Sequence, residues 1–220
     1  MGAVIGEILP FALGIAISPV PIIAVILMLF SKRAGSTSVG FLIGWLLGII
    51  VATGIFTAIA GTLQSGGAPS SGSSWMKIGL GALLLSVGWR QWAKRKGPHT
   101  TPKWMAAIDD FNLVKALGLG FLLSGINPKN LIMAAGAGVI IGSAGLSVGS
   151  EVGTIAVFTA LAASTVAVPV IAYLVASEKM RGPLDRLRAW LDANNSAVMG
   201  VLILVIGVLL IGKGITGLSA

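Results

Sequence analysis

Apolar, uncharged stretches separated by short polar gaps fill the chain from one end to the other. Five of them cover residues 8–30, 39–63, 113–141, 152–176 and 196–211. A helix needs about 20 apolar residues to cross a hydrocarbon core about 30 Å thick. These stretches therefore predict transmembrane helices, and prolines interrupt the first and the third of them.

A further, shorter apolar stretch lies between Lys77 and Arg90. The residues that these two cations enclose would form only about 18 Å of helix. The stretch can span a membrane if both cations extend to the interfaces and Trp75, Trp89 and Trp92 mark those interfaces. With this helix the sequence predicts an all-α integral membrane protein of six transmembrane helices.

The composition supports a membrane domain and argues against two other classes. Hydrophobic residues make up 55% of the 220 residues and charged residues only 10%, against about 25% charged in soluble domains. The net charge of +8 could indicate nucleic acid binding. The basic residues, however, lie in short gaps between apolar stretches, as in cytoplasmic loops, so we expect no nucleic acid partner. The chain has no cysteine, and its single histidine, His99, lies in a polar loop, so we expect neither a metal site nor a cofactor.

The distribution of Lys and Arg predicts the orientation. Lys77 and Lys213 lie on one side of the predicted membrane, whereas the loops after helices one, three and five carry most of the 15 basic residues. Those are Lys32, Arg33, Arg90, Lys94, Arg95, Lys96, Lys103, Lys115, Lys179, Arg181, Arg186 and Arg188. The three loops should therefore be cytoplasmic, with both termini outside the inner membrane.

The segment 181–194 has the pattern of an amphipathic helix. Leu184, Leu187 and Leu191 recur at helical spacing, with Trp190 beside them. Such a helix would lie in the membrane surface, and an ordinary solvated connector is the alternative.

Lys129 is the most informative residue of the sequence. It lies fourteen residues beyond Lys115 in an apolar stretch, about 21 Å along a helix and therefore near mid-membrane. A charge at that depth costs a few kcal/mol or more and marks a functional site by default. Alternatively, the helix breaks at Pro128 and Lys129 merely satisfies the carbonyls freed there. Asn127 and Asn130 can bond such freed groups locally.

The first helix carries a comparable interruption, Ser18-Pro19-Val20-Pro21. Two prolines so close together cannot sit in an undisturbed helix. Each interruption falls in the first helix of a three-helix half, residues 1–92 and 112–220, joined by the basic loop 93–111 within one transmembrane domain. Halves with an odd number of helices insert in opposite directions, and matched broken helices of such inverted repeats indicate a transporter's binding site.

Other polar residues are less specific. Glu7 and Glu151 flank helices on the predicted outer side and could take part in proton coupling, or simply be interfacial carboxylates. Ser164, Thr165 and Pro169 of the fifth helix could line the cavity, or be satisfied hydroxyls and a kink.

Gly40, Gly44 and Gly48 form a small-residue face on the second helix. This face indicates helix packing and fits a homodimer or internal contacts equally well.

Two segments resemble a known family. Residues 12–27 read ALGIAISPVPIIAVIL and residues 125–130 read GINPKN; both resemble the signatures of the actinobacterial GAP family, the peptidoglycolipid and sulfolipid addressing proteins. The resemblance also implies membership of the wider LysE superfamily of exporters, whose members carry a proline motif in helix one and Asn-Pro-Lys in helix four. Amino-acid exporters of the superfamily usually carry Pro-Gly-Pro where this chain has Pro19-Val20-Pro21, which favours the lipid-addressing branch.

The resemblance implies export, or movement of lipid-linked products, toward the cell envelope. Because Lys129 can be the counter-charge for an anionic head group, we expect the cargo to be an anionic lipid, a glycolipid or a precursor, moved by alternating access. Ser18, Pro19, Pro21, Asn127, Pro128, Lys129 and Asn130 are the predicted substrate-binding residues. Three alternatives stay open: LysE-type export of a small solute such as an amino acid, a non-transporting partner of a lipid-synthesis or export complex, and a membrane enzyme. We expect no enzyme, because an intramembrane nucleophile and base are missing, and no Walker-type loop for ATP is present.

Overall fold

The computed structural model describes residues 1–64, 71–93 and 107–219, and over these ranges the chain is helical with no strand. His99 and most of the basic loop 93–111 lie outside the described residues. The all-α prediction is therefore confirmed for the described part of the chain.

Eight helices organise the described residues. They are α1 (Gly2–Ala16), α2 (Pro19–Leu29), α3 (Ala34–Gln64), α4 (Ser71–Ala93), α5 (Leu113–Phe121), α6 (Pro128–Gly142), α7 (Val148–Ser177) and α8 (Lys179–Leu218). A 3-10 turn, Ile108–Asp110, precedes α5, and a π-turn, Leu122–Ile126, follows it. A kink at the non-helical residue Ala176 (φ −146°, ψ 56°), close to the end of α7, divides the long helical run Val148–Ser219 into α7 and α8.

Three of these helices are long and apolar enough to cross a membrane: α3, α7 and α8. The pair α1 and α2, bent by 53°, makes a fourth if it counts as one broken span. The helix α4 is formed over 23 residues, but within the described residues it is not among the helices apolar enough to qualify. The chain is therefore a membrane protein with three to four candidate spans, and the count of six stays a prediction.

The helix α8 is longer than the apolar stretch that predicted it. Its 40 residues extend about 60 Å, twice the hydrocarbon core. The amphipathic segment 181–194 is its first part rather than a separate surface helix. Leu184 and Leu191 are buried there against Ile22 and Ile26 of α2, whereas Trp190 is exposed. The apolar side of this segment therefore packs partly on the protein itself.

The small-residue face of α3 packs inside the chain. A Cβ on Gly40 would come within 2.6 Å of the Leu113 carbonyl oxygen, and one on Gly44 would overlap the Leu117 carbonyl. One on Gly48 would collide with the Ser124 hydroxyl. The glycines let the α3 and α5 backbones approach closely, so this face serves an internal contact.

This close approach predicts opposite effects for two glycine substitutions on one helix. We expect Gly44→Ala to lower the free energy of unfolding by about 1–3 kcal/mol, as overpacking does. Gly54→Ala is the matched control, since a Cβ there would meet nothing within 4 Å, and it should stabilise α3 by about 0.5–1 kcal/mol. Unfolding in mixed micelles, followed by circular dichroism, measures both; equal effects would contradict the packing.

Candidate functional site

The first helix interruption follows directly from its prolines. Pro19 disfavours helical backbone at the residue before it, and Ser18 is extended (φ −86°, ψ 108°). Pro19 then starts α2 at a position where a missing N–H costs nothing. Because Pro19 and Pro21 donate no hydrogen bonds, carbonyls at the end of α1 need partners from elsewhere.

The second interruption has the same local form. Asn127 is non-helical (φ −56°, ψ 123°) and Pro128 starts α6. The Asn127 N–H closes the π-turn onto the Leu122 carbonyl at 3.0 Å, and its side-chain oxygen accepts from the Lys129 backbone N–H at 3.1 Å. Both interruptions thus place an extended residue before a proline that begins a new half-helix.

A hydrogen-bond network joins the two interruptions. The Lys129 ammonium donates to the Gly14 carbonyl at 2.5 Å and to the Ser18 hydroxyl. Ser18 donates to the Asn130 side-chain oxygen at 3.2 Å, and the Asn130 amide donates to the Leu123 carbonyl at 2.8 Å. Ser18 and Asn130 are buried, so these bonds form away from water. We call Gly14, Ser18, Lys129 and Asn130 the break network.

The carbonyls freed in α1 are satisfied by other helices. Thr165 of α7 donates its hydroxyl to the Ala16 carbonyl at 2.5 Å, and Lys129 caps Gly14. The alternative role considered for Lys129, satisfying freed carbonyls, is therefore present in the structure, but the carbonyl belongs to α1 rather than to its own helix. Ser164 donates only to the Leu161 carbonyl of its own helix.

Lys129 keeps bonding capacity beyond this structural role. An ammonium has three N–H donors, and the break network uses two of them. The two ion pairs among the described residues are Arg188–Asp192 and Lys213–Glu7, so no described carboxylate neutralises Lys129. The half-buried cation is therefore available to an anion.

A cavity of about 270 Å³ opens beside the break network. Six of the seven predicted binding residues line it: Ser18, Pro19, Pro21, Asn127, Pro128 and Lys129. Asn130 does not line the cavity, and its side-chain oxygen accepts a hydrogen bond from Ser18, which does. The predicted residues are thus brought together at one place.

Five lining residues were not predicted: Val20 of α2, Val87 of α4, and Asn195, Met199 and Ile203 of α8. The three α8 residues recur every four positions and so share one face of that helix. Only Asn195, a polar residue at the start of an apolar stretch, carried any signal in the sequence.

The Asn195 side-chain oxygen is buried without a hydrogen-bond partner. An unsatisfied buried polar group costs about 1–3 kcal/mol. Because Asn195 lines the cavity, its amide is a ready partner for a polar ligand beside Lys129.

The two acidic residues singled out in the sequence lie away from this cavity. Glu7 forms an ion pair with Lys213 of α8 at 2.9 Å. Lys213 is about 27 Å from Asn195 along α8. Glu151 lies in the first turn of α7, where its carboxylate interacts favourably with the positive end of the helix dipole. Neither residue lines the cavity, and the role of each in proton coupling stays a prediction.

Comparison with known proteins gives one family. No curated protein and no solved structure matches the chain significantly. The family model of Sap, the sulfolipid-1-addressing protein, matches residues 8–216, a range that includes both interruptions and the whole cavity lining. The relationship to the wider LysE superfamily stays a prediction. With its apolar helices and this match, the chain is a membrane protein of lipid addressing or export, and it belongs to the sulfolipid-1-addressing protein family.

Proposed function

We propose that this chain exports an anionic lipid or glycolipid toward the cell envelope by alternating access. One observation carries the proposal: Lys129, without a described carboxylate partner, lines a cavity at which two broken helices meet. Family membership supports a lipid as the cargo. No catalytic role is proposed.

The electrostatics of the cavity favour an anionic head group. The half-helices α2 and α6 both begin at its wall, with Pro19 and Pro128 as first residues. Helix N-termini carry about half a positive charge each and, with a cation beside them, bind sulfate, phosphate or carboxylate groups. Lys129 would pair with the head group, and the Asn195 side-chain N–H would donate a further hydrogen bond to it.

The packing directions of the helices support two inverted halves, α1–α4 and α5–α8. The helix α3 runs parallel to the second broken helix, since Gly40 faces Leu113 and Gly138 faces Thr53. The helix α7 runs parallel to the first broken helix, with Thr165 bonded to Ala16 and Gly153 near the N-terminus of α1. The second helix of each half, α3 or α7, thus runs parallel to the broken helix of the other half. A pseudo-twofold axis that relates two inverted halves requires this arrangement.

The third helices of the halves pack on each other in opposite directions. Gly81 of α4 faces Gly207 of α8, and Gly88 faces Leu204. This arrangement supports α4 as a span, because it runs the full length of the apolar part of α8. The six spans would be α1 with α2, α3, α4, α5 with α6, α7, and α8.

The two ends of α8 indicate to which side of the membrane the cavity opens. Asn195 lines the cavity at the predicted cytoplasmic end, and Lys213 binds Glu7 at the predicted outer end. This geometry fits a cavity loaded from the cytoplasmic side while the Glu7–Lys213 pair closes the outer side. Export would separate that pair.

Small-solute export is the second candidate, because a cavity of about 270 Å³ is near the lower limit of small-molecule sites. A non-transporting role in a lipid-synthesis or export complex is the third. Homodimers would use surfaces other than the glycine face of α3, which is internally occupied.

Reconstitution of the purified chain separates these candidates. We expect proteoliposomes to move a fluorescent anionic lipid between leaflets at least ten-fold faster than protein-free vesicles, and a zwitterionic lipid much less. Dithionite quenching of the fluorophore measures both rates, and an unrelated membrane protein controls for nonspecific scrambling. Lysine or glutamate uptake without lipid movement would favour small-solute export, and no movement of either would favour the partner role.

A further inference from the structure

A second, apolar pocket of about 440 Å³ lies on the other side of the first interruption. Its wall includes Ile17, Val168, Pro169, Leu187, Trp190 and Leu191. We propose that this pocket holds an acyl chain of the lipid whose head group occupies the Lys129 cavity. This inference rests on the proposed function and extends it to the apolar part of the cargo.

The pocket offers hydrocarbon and almost no hydrogen bonding. None of its lining residues is charged. The two hydroxyls at its edge are already used, since Ser164 donates to the Leu161 carbonyl and Thr165 donates to the Ala16 carbonyl. An apolar chain is therefore the ligand that matches this wall.

Two chain connections place the apolar pocket next to the polar cavity. Ile17 lines the pocket, and Ser18, the next residue, lines the cavity. On α8, Leu191 lines the pocket and Asn195 lines the cavity, one helical turn or about 6 Å farther on. A molecule with an anionic head and an apolar tail would therefore fit the two spaces together.

The pocket also reaches the exposed surface of the helices. Val168 is 62% exposed and Trp190 is 54% exposed, and both lie in its wall. Tryptophan is the residue typical of membrane interfaces. The wall thus supplies a lateral opening through which a tail can remain in the bilayer while the head group enters the cavity. This geometry favours a bilayer lipid over a peptide or a second copy of the chain.

A filled pocket tests the proposal. We expect Val168→Trp to weaken binding of palmitoyl lysophosphatidic acid at least ten-fold, because the indole would occupy the tail space. Val152→Trp is the matched control, since Val152 lies on the same helix, has the same 62% exposed fraction, and does not line the pocket. Binding to the chain in phosphatidylcholine nanodiscs is measured by titration.

Glycerol 3-phosphate, the head group without a tail, separates this proposal from the proposed function. Unchanged binding of glycerol 3-phosphate to Val168→Trp would show an intact head-group cavity and complete the expected result. If Val168→Trp and Val152→Trp bind the palmitoyl probe equally, the pocket is not a tail site, although the head-group cavity survives. If wild type binds neither probe, the anionic-lipid function and the tail site are both overturned.

Discussion

Lys129→Ala should abolish delivery of one anionic lipid class to the outer envelope of cells whose only copy of this protein carries the change. In proteoliposomes we expect the anionic-lipid transfer rate to fall roughly ten- to hundred-fold, because a hydrogen bond to a charged group contributes about 1.5–3 kcal/mol. The loss should follow the head-group charge, so transfer of a zwitterionic lipid should change little. Envelope lipid analysis and the leaflet-transfer assay measure the two effects.

The structural role of Lys129 needs a separate control. Removing its ammonium leaves the Gly14 carbonyl and the Ser18 hydroxyl without this donor, which should also lower the free energy of unfolding. Asn195→Leu is therefore informative, since it removes a cavity amide whose oxygen has no hydrogen-bond partner in the structure. We expect Asn195→Leu to slow lipid transfer, while the free energy of unfolding stays unchanged or rises slightly.

Lys115→Ala provides the matched lysine control. Lys115 is an exposed cation fourteen residues earlier in the same broken segment, and its loss should leave transfer near the wild-type rate. Full rescue by Lys129→Ala at equal membrane levels would make Lys129 purely structural. A wild-type transfer rate for Asn195→Leu together with that rescue would move the binding site elsewhere.

Locking the Glu7–Lys213 pair should stop transport almost completely. The chain contains no cysteine, so Glu7→Cys with Lys213→Cys introduces the only two thiols. A short, reversible bis-methanethiosulfonate reagent would then hold α1 to α8 at the end opposite the cavity. If export requires these helices to separate, transfer should fall to the background rate and return when a reductant cleaves the link.

Breaking the same pair should have a far smaller effect. The Lys213 and Glu7 side chains are 32% and 46% exposed, and such surface pairs contribute about 0–1 kcal/mol. Single-cysteine variants treated with the reagent should therefore transport at rates close to the wild type. An unaltered rate in the cross-linked double variant would show that this end stays closed throughout the cycle.

The helix interruptions and the central residue of the site could be predicted from the sequence, because both depend on local chemistry. Ser18-Pro19 and Asn127-Pro128 predicted helix interruptions because a proline's missing donor and ring act on its immediate neighbours, and the structure breaks at both. Lys129 stood out because a cation in a long apolar stretch carries a desolvation cost wherever the chain folds. The helix α4 was harder to predict, since its apolar stretch is short and its length depends on what it packs against.

The sequence by itself determined the all-α class, the two places where helices break, and which cation is isolated among apolar residues. The tertiary structure alone decided that Lys129 caps Gly14 on the other broken helix, that Asn195 and Val87 join the same cavity, and that an apolar pocket adjoins it. The reason is physical: interruption and desolvation are set by neighbours in the chain, whereas partners more than a hundred residues apart depend on helix packing. Close packing of α3 on α5 and of α4 on α8, through glycines, is what brings those partners together.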